Sequence, residues 1–123
     1  MKILLVDDDA FLRDMYATKF AESEHEVNTA ENPIAALQAL ETAQNYDVVL
    51  LDMIMPGMTG VELVSAVKEK YPDFTGKCIV LSNQGQQEDI DAATAAGADG
   101  YIIKAESIPS DVVKKVEALV AKK

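Results

Sequence analysis

The amino-acid sequence predicts a single α/β domain, in which a doubly wound, five-stranded parallel sheet carries helices on both faces. Short, unbroken aliphatic runs such as residues 3–6 and 48–51 are typical of strands buried on both sides. Apolar residues at helical spacing separate successive runs, and repeated strand–helix units force right-handed crossovers. The 123 residues are enough for one domain with its own core, so residues 1–123 are assigned to a single domain.

The elements follow one another as a (βα)5 chain. Strands are predicted over residues 3–6, 26–30, 47–51, 77–81 and 101–103, the second being the weakest. Helices are predicted over roughly 10–22, from 33, from 60, over about 86–96 and from about 109. In the first two helices the apolar residues at helical spacing are Phe11, Leu12, Met15, Tyr16, Phe20, Ile34, Leu37 and Leu40.

Local signals mark the ends of these helices. Asp9 is expected to be the N-cap of the first helix, and Asn32 caps the second, with Pro33 at its first helical position. The segment 59–62, Thr-Gly-Val-Glu, has the capping-box pattern and opens the third helix. Gly97 stands where a glycine commonly ends a helix, after the fourth.

Polar side chains follow the aliphatic runs. Asp7 and Asp8 come directly after the first run, Asp52 after the third, Ser82 after the fourth and Lys104 after the fifth. In open α/β sheets the functional site lies outside the carboxyl ends of the strands. The flavodoxin-like strand order 2-1-3-4-5 places the first and third strands side by side, so the aspartates become neighbours. Three carboxylates, a hydroxyl and a lysine suit a magnesium-dependent phosphoryl-transfer site.

The composition of the chain limits which partners and which cellular location are expected. The formal charge of −10 and the pI near 4.4 argue against direct nucleic-acid binding by this domain. No apolar run is long enough for a membrane span, and no leader pattern precedes the first strand. Cys78, the only cysteine, fits a reducing cytoplasm and is expected to be a small core residue. His25, in a predicted turn, is expected at the surface.

Four motifs in order point to a known family. Residues 50–60 (LLDMIMPGMTG) match an Asp-x-x-Met-Pro-x-Met-x-Gly pattern, and ILLVDDD, IVLS and GADGYIIK lie at the matching distances. Over its whole length the chain resembles a response-regulator receiver domain, the CheY-like phosphoacceptor module of two-component signalling. That resemblance implies a domain that catalyses its own phosphorylation and dephosphorylation and is not otherwise an enzyme.

The resemblance assigns a role to each polar residue. It implies Asp52 as the nucleophile that forms an aspartyl-phosphate. Mg²⁺ would be bound directly by Asp8, Asp52 and the backbone carbonyl of Ile54, and by Asp7 mainly through a water molecule. Lys104 would neutralise a phosphoryl oxygen.

The resemblance also implies a switch and its partners. Ser82 would donate a hydrogen bond to the phosphoryl group and move toward it, and the ring of Tyr101 would fill the space it vacates. The repacked surface of the fourth helix, fifth strand and fifth helix would be read by a downstream protein. The phosphodonor, a histidine kinase or histidine phosphotransfer protein, would dock on the first helix and the loops around Asp52.

Three positions depart from the family pattern. Ala105 follows Lys104 where the family has proline and a cis bond, and a non-proline cis bond costs about 2.5–4 kcal/mol. Either that bond is strained or Lys104 reaches the site by a trans path. Asn83 replaces a small residue and narrows the access route. Ile54 is expected to overhang the phosphoryl group and hinder the attacking water. Gln84 would instead orient that water, so the sequence leaves the rate of dephosphorylation open.

Two other functions compete with a phosphorylated receiver. A receiver fold that signals by association, without phosphorylation, is compatible with the Ala105 and Asn83 departures. The segment Asp7-x-Asp9 also resembles the nucleophile motif of haloacid-dehalogenase-type phosphohydrolases. However, Phe11 stands where that motif prefers threonine or valine, and the chain has no room for a cap domain. The three functions differ in which aspartate becomes phosphorylated. A phosphorylated receiver would carry the phosphoryl group on Asp52, a phosphohydrolase would carry it on Asp7, and a binding module would carry it on neither.

Overall fold

Parallel strand pairing organises the computed structural model, which describes residues 1–83, 85–104 and 108–121. The strands are β1 (Lys2–Val6), β2 (Glu26–Ala30), β3 (Val48–Asp52), β4 (Lys77–Ser82) and β5 (Gly100–Ile103). They pair in the order β2-β1-β3-β4-β5, every pair parallel. The predicted flavodoxin-like, doubly wound sheet is therefore confirmed, with β1 beside β3.

Helices cover both faces of this sheet. They are α1 (Ala10–Glu22), α2 (Pro33–Thr42), α3 (Gly60–Lys70), α4 (Gln87–Ala96) and α5 (Pro109–Ala121). Successive strand residues point to opposite faces, so Ile3 and Leu5 pack with α1 and α5, whereas Leu4 and Val6 pack with α2, α3 and α4. Within the described residues, no helix has both the length and the apolar character needed to cross a bilayer.

The predicted helix ends are confirmed. The Asp9 side chain accepts a hydrogen bond from the Leu12 amide at 3.1 Å, and Asn32 accepts one from the Ala35 amide at 2.8 Å. Both halves of the capping box at the start of α3 are formed. Gly97 ends α4 with φ of +106°, a left-handed conformation that glycine adopts without steric cost. Each side-chain cap typically stabilises its helix by about 1 kcal/mol.

The structure corrects several strand ends by one residue. β3 was predicted over 47–51 but spans Val48–Asp52, and its last residue pairs with Leu81. β4 extends to Ser82, which pairs with Ile103. β1 and β5 each begin one residue earlier than predicted. Tertiary pairing extends a strand past the aliphatic run that identifies it. Asp52 and Ser82 are consequently held by the sheet, not by loops.

The interpretation of His25 as a surface residue was wrong. Its side chain is only 11% exposed, and its ring centroid lies 6.2 Å from that of Phe20. The His25 Nε2 atom is 2.8 Å from a carboxylate oxygen of Glu117 on α5. The residue precedes an edge strand in sequence, but α5 packs over it and encloses it. Sequence position alone therefore underestimated its burial.

Apolar spacing predicted helices better than it predicted burial. Phe11 and Ile34 belong to the apolar series of α1 and α2 but are 76% and 69% exposed. Both lie in the first turn of a helix that starts beyond the end of the preceding strand, where the sheet no longer covers them. Cys78 is buried as expected, and burial raises the pKa of its thiol to about 11, so the thiol stays protonated.

Candidate functional site at the carboxyl ends of β1, β3 and β5

The turn after β1 is fixed by its own hydrogen bonds. Asp7 is buried, its amide donates to the carbonyl of Ala30 at 3.1 Å, and its carboxylate accepts from the Asp9 amide at 2.9 Å. The guanidinium of Arg13 donates to the backbone carbonyl of Asp7 at 2.9 Å. Asp8, between these anchored residues, is exposed. The turn thus places one buried and one accessible carboxylate at the sheet edge.

Asp52 is positioned by its strand and by a close helix. The Met53 amide donates to the carbonyl of Leu81, which continues the β-sheet ladder past Asp52. The Gly60 amide donates to the carbonyl of Met53 at 2.7 Å, and a Cβ atom at Gly60 would lie 2.6 Å from the Asp52 carbonyl oxygen. Only glycine permits α3 to begin this close to the β3 backbone.

Asp7, Asp8 and Asp52 converge. One carboxylate oxygen from each lies within 4.8 Å of the others. Their exposure is graded: Asp7 is buried, Asp52 is intermediate and Asp8 is exposed. A hard cation with oxygen ligands fits this donor set, because Mg²⁺ commonly takes one or two carboxylates and keeps several waters. The accessible side of Asp8 leaves room for such waters.

Lys104 balances part of this negative charge. Its side chain is only 7% exposed, and its ammonium lies 3.4 Å from Asp52 Oδ1 and 3.6 Å from Asp7 Oδ2. Lys104 therefore reaches the site despite the Ala105 departure, although the 104–105 peptide bond itself falls outside the described residues. One cation beside three carboxylates leaves the cluster with a net negative charge.

Burial has the largest effect on the pKa of Asp52. Removal from water raises the pKa of this carboxyl, and the charge of Asp7 raises it further. The charge of Lys104 and hydrogen bonds from Lys104 and the Met53 amide act in the opposite direction but do not overcome burial. Tyr16 lies behind the cluster on the α1 side, where burial first, and then Asp7 and Asp52, raise the pKa of its phenol.

A cleft of about 270 Å³ opens onto the cluster. Ser82 at the end of β4, Asn83 after it and Leu12 on α1 all line this cleft, which is named here the phosphoacceptor cleft. Its full lining comprises Asp8, Asp9, Leu12, Asp52, Ile54, Ser82, Asn83 and Lys104. Ser82 is buried and Asn83 is exposed, and the roles predicted for them stay predictions.

The remaining predicted residues have distinct locations. Ile54 is 74% exposed at the rim of the cleft, and the role of its backbone carbonyl stays a prediction. Tyr101 is partly buried on β5, opposite Val80, and packs against the α2–α4 face of the core. It does not line the phosphoacceptor cleft. Gln84, predicted to orient a water, falls outside the described residues.

Sequence reasoning missed two supports of this site. Arg13 holds the turn after β1, and Gly60 admits α3 beside Asp52. In the sequence, Gly60 stands out only as part of the capping-box pattern of residues 59–62. Nothing in the sequence near Arg13 showed that its side chain would fold back onto the Asp7 carbonyl.

Comparison with known proteins agrees with this geometry. The sequence model of the response regulator receiver domain matches residues 3–117. The chain belongs to the response regulator receiver family. It is 36% identical over 119 residues to the transcriptional regulatory protein ResD of Bacillus subtilis, covering 96% of this chain and 47% of ResD. It is also 36% identical to the chemotaxis protein CheY of Halobacterium salinarum, covering 89% of this chain and 88% of that protein.

Solved receiver structures share the fold. The chemotaxis protein CheY4 of Vibrio cholerae superposes with a TM-score of 0.86 and 30% identity, covering 96% of this chain and 97% of CheY4. The chain thus spans nearly the whole of the CheY proteins but about half the length of ResD and of the nitrate/nitrite regulator NarL of Escherichia coli. Receiver-family membership places the chain in two-component signalling.

Proposed function

We propose that this receiver domain accepts a phosphoryl group on Asp52 in a Mg²⁺-dependent reaction and passes on a conformational signal. The observation that carries the proposal is the Lys104 ammonium, 3.4 Å from Asp52 and 3.6 Å from Asp7, beside three converging carboxylates. A nucleophile, a cation for the transferred group and a set of hard oxygen ligands meet in one small volume.

The transfer is a displacement at phosphorus. A carboxylate oxygen of Asp52 forms a bond to phosphorus as the bond from phosphorus to the donor breaks. With acetyl phosphate, acetate leaves with the electron pair; with phosphohistidine, the imidazole keeps it and takes up a proton. Burial favours the protonated form of Asp52, and the charge of Lys104 acts against burial by favouring the ionised nucleophile.

Charge compensation is the main demand of this step, because the incoming phosphoryl group is itself anionic. Asp8, Asp52 and the Ile54 carbonyl would hold Mg²⁺ directly and Asp7 through a water, and the bound ion would neutralise phosphoryl oxygens. Lys104 would pair with one of those oxygens, and the buried Ser82 hydroxyl would donate to another.

The same contacts would make a switch. Phosphorylation adds about −1.5 to −2 charges and three acceptor oxygens beside Ser82. Ser82 would move toward them and Tyr101 into the vacated space. Ser82 lies on β4 and pairs with Ile103 on β5, two residues beyond Tyr101, so the two elements share one ladder. The repacked α4–β5–α5 surface would then bind a downstream protein.

Intact-mass measurement tests the proposal. The protein is mixed with acetyl phosphate for seconds, with Mg²⁺ or with EDTA, and quenched in acid. We expect a Mg²⁺-dependent gain of one phosphoryl group that Asp52→Asn abolishes. Asp9→Asn is the matched control, because it changes another aspartate of the same cleft while asparagine preserves the helix cap.

Two results would contradict the proposal. No mass gain at the earliest quench would favour a binding module that signals without phosphorylation, as the Asn83 and Ala105 departures allow. A gain that persists in Asp52→Asn but disappears in Asp7→Asn would instead favour the phosphohydrolase-type nucleophile.

Ile54 is expected to lengthen the life of the phosphoryl group. Its exposed side chain lines the phosphoacceptor cleft and would block the path of an attacking water. Replacing Ile54 with asparagine should speed phosphate loss by about tenfold, because a small polar side chain admits and orients water. The rate is read from the decay of the phosphorylated mass after the donor is removed. An unchanged rate would reject steric hindrance by Ile54 and leave Gln84 as the residue to vary.

Phe11 is expected to contact the phosphodonor protein. It is 76% exposed on α1 and lines a shallow groove with Asp14, Met15, Thr18 and Lys19. Phe11→Ala should slow transfer from a phosphorylated histidine phosphotransfer domain by about tenfold, since exposed aromatics often anchor interfaces. Phosphorylation by acetyl phosphate should not change. Ile34→Ala is the control, because Ile34 is a large apolar residue on α2 with a similar exposure of 69%. Equal slowing with both donors would show that Phe11 supports the site and not the interface.

A further inference from the structure

A second, larger cleft lies beside the phosphoacceptor cleft. It has a volume of about 550 Å³ and runs between the start of α3 and α4; it is named here the α3–α4 groove. Met53, Val61 and Ala92 give it an apolar lining, with Gln86 and Asp89 at its polar side. Because it faces α3, it is separate from the α4–β5–α5 surface to which a downstream partner is assigned above. Ile54, Ser82 and Asn83 line both clefts. The side chains of Met53, Val61, Gln86, Asp89 and Ala92 line only the α3–α4 groove and have no role in the proposed phosphoryl transfer.

The two helices beside this groove carry acidic residues. Glu88, Asp89 and Asp91 lie in the first half of α4, and Glu62 lies in the first turn of α3. No lysine or arginine occurs in α4 or within residues 60–67 of α3. The domain as a whole carries a formal charge of −10. The groove is thus an apolar slot with one acidic side, called here its acidic rim, to which Asp89 contributes directly.

We propose that the α3–α4 groove binds a basic amphipathic segment of a partner protein. Large apolar side chains on one face of that segment would fill the slot, while lysines and arginines on the other face would lie against the acidic rim. Amphipathic helices dock into apolar grooves in this way, and complementary charge sets their orientation and rate of association.

Charge also selects among the occupants of the groove. A second copy of this domain would bring its own net charge of −10 to an acidic rim, so self-association through the groove is opposed by repulsion. An anionic metabolite meets the same repulsion. A cationic segment is attracted electrostatically by the same acidic rim that repels these two occupants. Its apolar face matches the lining formed by Met53, Val61 and Ala92.

The test is a titration of the isotope-labelled, unphosphorylated domain, followed by amide chemical shifts. The probe is a short synthetic helical peptide with leucines on one face and lysines on the other. A second peptide, in which glutamates replace the lysines, is the charge control. We expect the lysine peptide to shift amides of Val61, Gln86, Asp89 and Ala92, and the glutamate peptide to leave them unmoved.

Variants on α4 assign the binding to the groove. Ala92→Arg fills the slot and Asp89→Lys reverses charge at the rim, and each should weaken lysine-peptide binding by about tenfold or more. Ala95→Arg and Asp91→Lys are the matched controls, exposed on the same helix but outside the groove lining. Both controls should bind within about threefold of the parent, because neither Ala95 nor Asp91 contributes to the lining of the groove.

Several results would overturn the proposal. These are equal binding of both peptides, shifts that map to α1 or to the α4–β5–α5 surface, and equal weakening by groove and control variants. Concentration-dependent shifts of the groove amides without peptide would identify a second copy as the occupant. All measurements use unphosphorylated protein, so failure here leaves the phosphoacceptor proposal standing.

Discussion

Replacing Asp52 with asparagine is expected to make this protein more stable while it abolishes phosphorylation. Burial raises the pKa of the Asp52 carboxyl, and the charge of buried Asp7 raises it further. At neutral pH the folded state must therefore hold an ionised group that its surroundings disfavour. Asparagine keeps the shape and removes that charge, so we expect a gain on the order of 1 kcal/mol, or about 3–6 °C in Tm.

The pH dependence of this gain follows from linkage. Because the pKa of Asp52 is higher in the folded than in the unfolded state, the folded protein binds more protons than the unfolded chain at pH values between the two. The stability that Asp52 contributes is full below its unfolded-state pKa and is lost as the pH rises through the folded-state value. The Asp52→Asn variant should thus match the parent in acid and exceed it at neutral pH.

Thermal unfolding in EDTA at acidic and neutral pH measures this difference. Asp9→Asn is the control, because it removes an exposed charge from the same cleft and keeps the α1 cap. A Tm of Asp52→Asn at or below that of the parent at neutral pH would show that Lys104 outweighs burial. Mg²⁺ should stabilise the parent more than Asp52→Asn, since a ligand that binds only the folded state raises stability.

Replacing Lys104 with methionine is expected to impair both folding stability and phosphorylation. Its ammonium lies between Asp52 and Asp7, and the Lys104 and Asp7 side chains are 7% and 1% exposed. Removing one partner of a buried ion pair leaves uncompensated charge and typically costs about 3–5 kcal/mol. Loss of one preorganised cation at the transferred phosphoryl group should slow phosphorylation by about 10²–10³-fold.

Two companion variants separate these effects from general damage. Lys68→Met breaks the pair between Lys68 and Asp99, 3.5 Å apart and each about one-third exposed, and should cost no more than about 1 kcal/mol. The double variant Lys104→Met with Asp52→Asn should recover part of the lost stability, because the carboxylate that Lys104 neutralises is then absent. If Lys104→Met and Lys68→Met lower the Tm equally, the buried ion pair of Lys104 contributes no more to stability than the more exposed pair of Lys68.

Local sequence patterns were enough to predict most of the fold. Alternating aliphatic runs and helical spacing predicted the five strands and five helices, and the residue types at helix ends predicted the Asp9, Asn32 and Thr59 caps that the structure contains. These features depend on neighbours a few residues away, which a sequence displays directly. The acidic cluster was also predictable, because parallel strands bring their carboxyl ends to one edge.

Contacts between segments that are distant along the chain could not be predicted from the sequence. His25 was misplaced because it is enclosed by Glu117, 92 residues away, and strand ends shifted because pairing partners extend a strand past its apolar run. The spacing of apolar residues correctly predicted that Phe11 lies in a helix. Its exposure, however, depends on where the sheet ends. Burial and strand ends are properties of packing, and packing depends on the whole chain.

The sequence by itself determined that this protein is a doubly wound α/β receiver domain, and which aspartates, serine and lysine occupy its strand ends. Only the tertiary structure decided that Lys104 reaches Asp52 across 52 residues of chain, and that burial outweighs that cation in raising the pKa of Asp52. It alone revealed the α3–α4 groove. The physical reason is that residue types follow from local sequence, whereas distances, desolvation and cavities arise only when separate elements pack together.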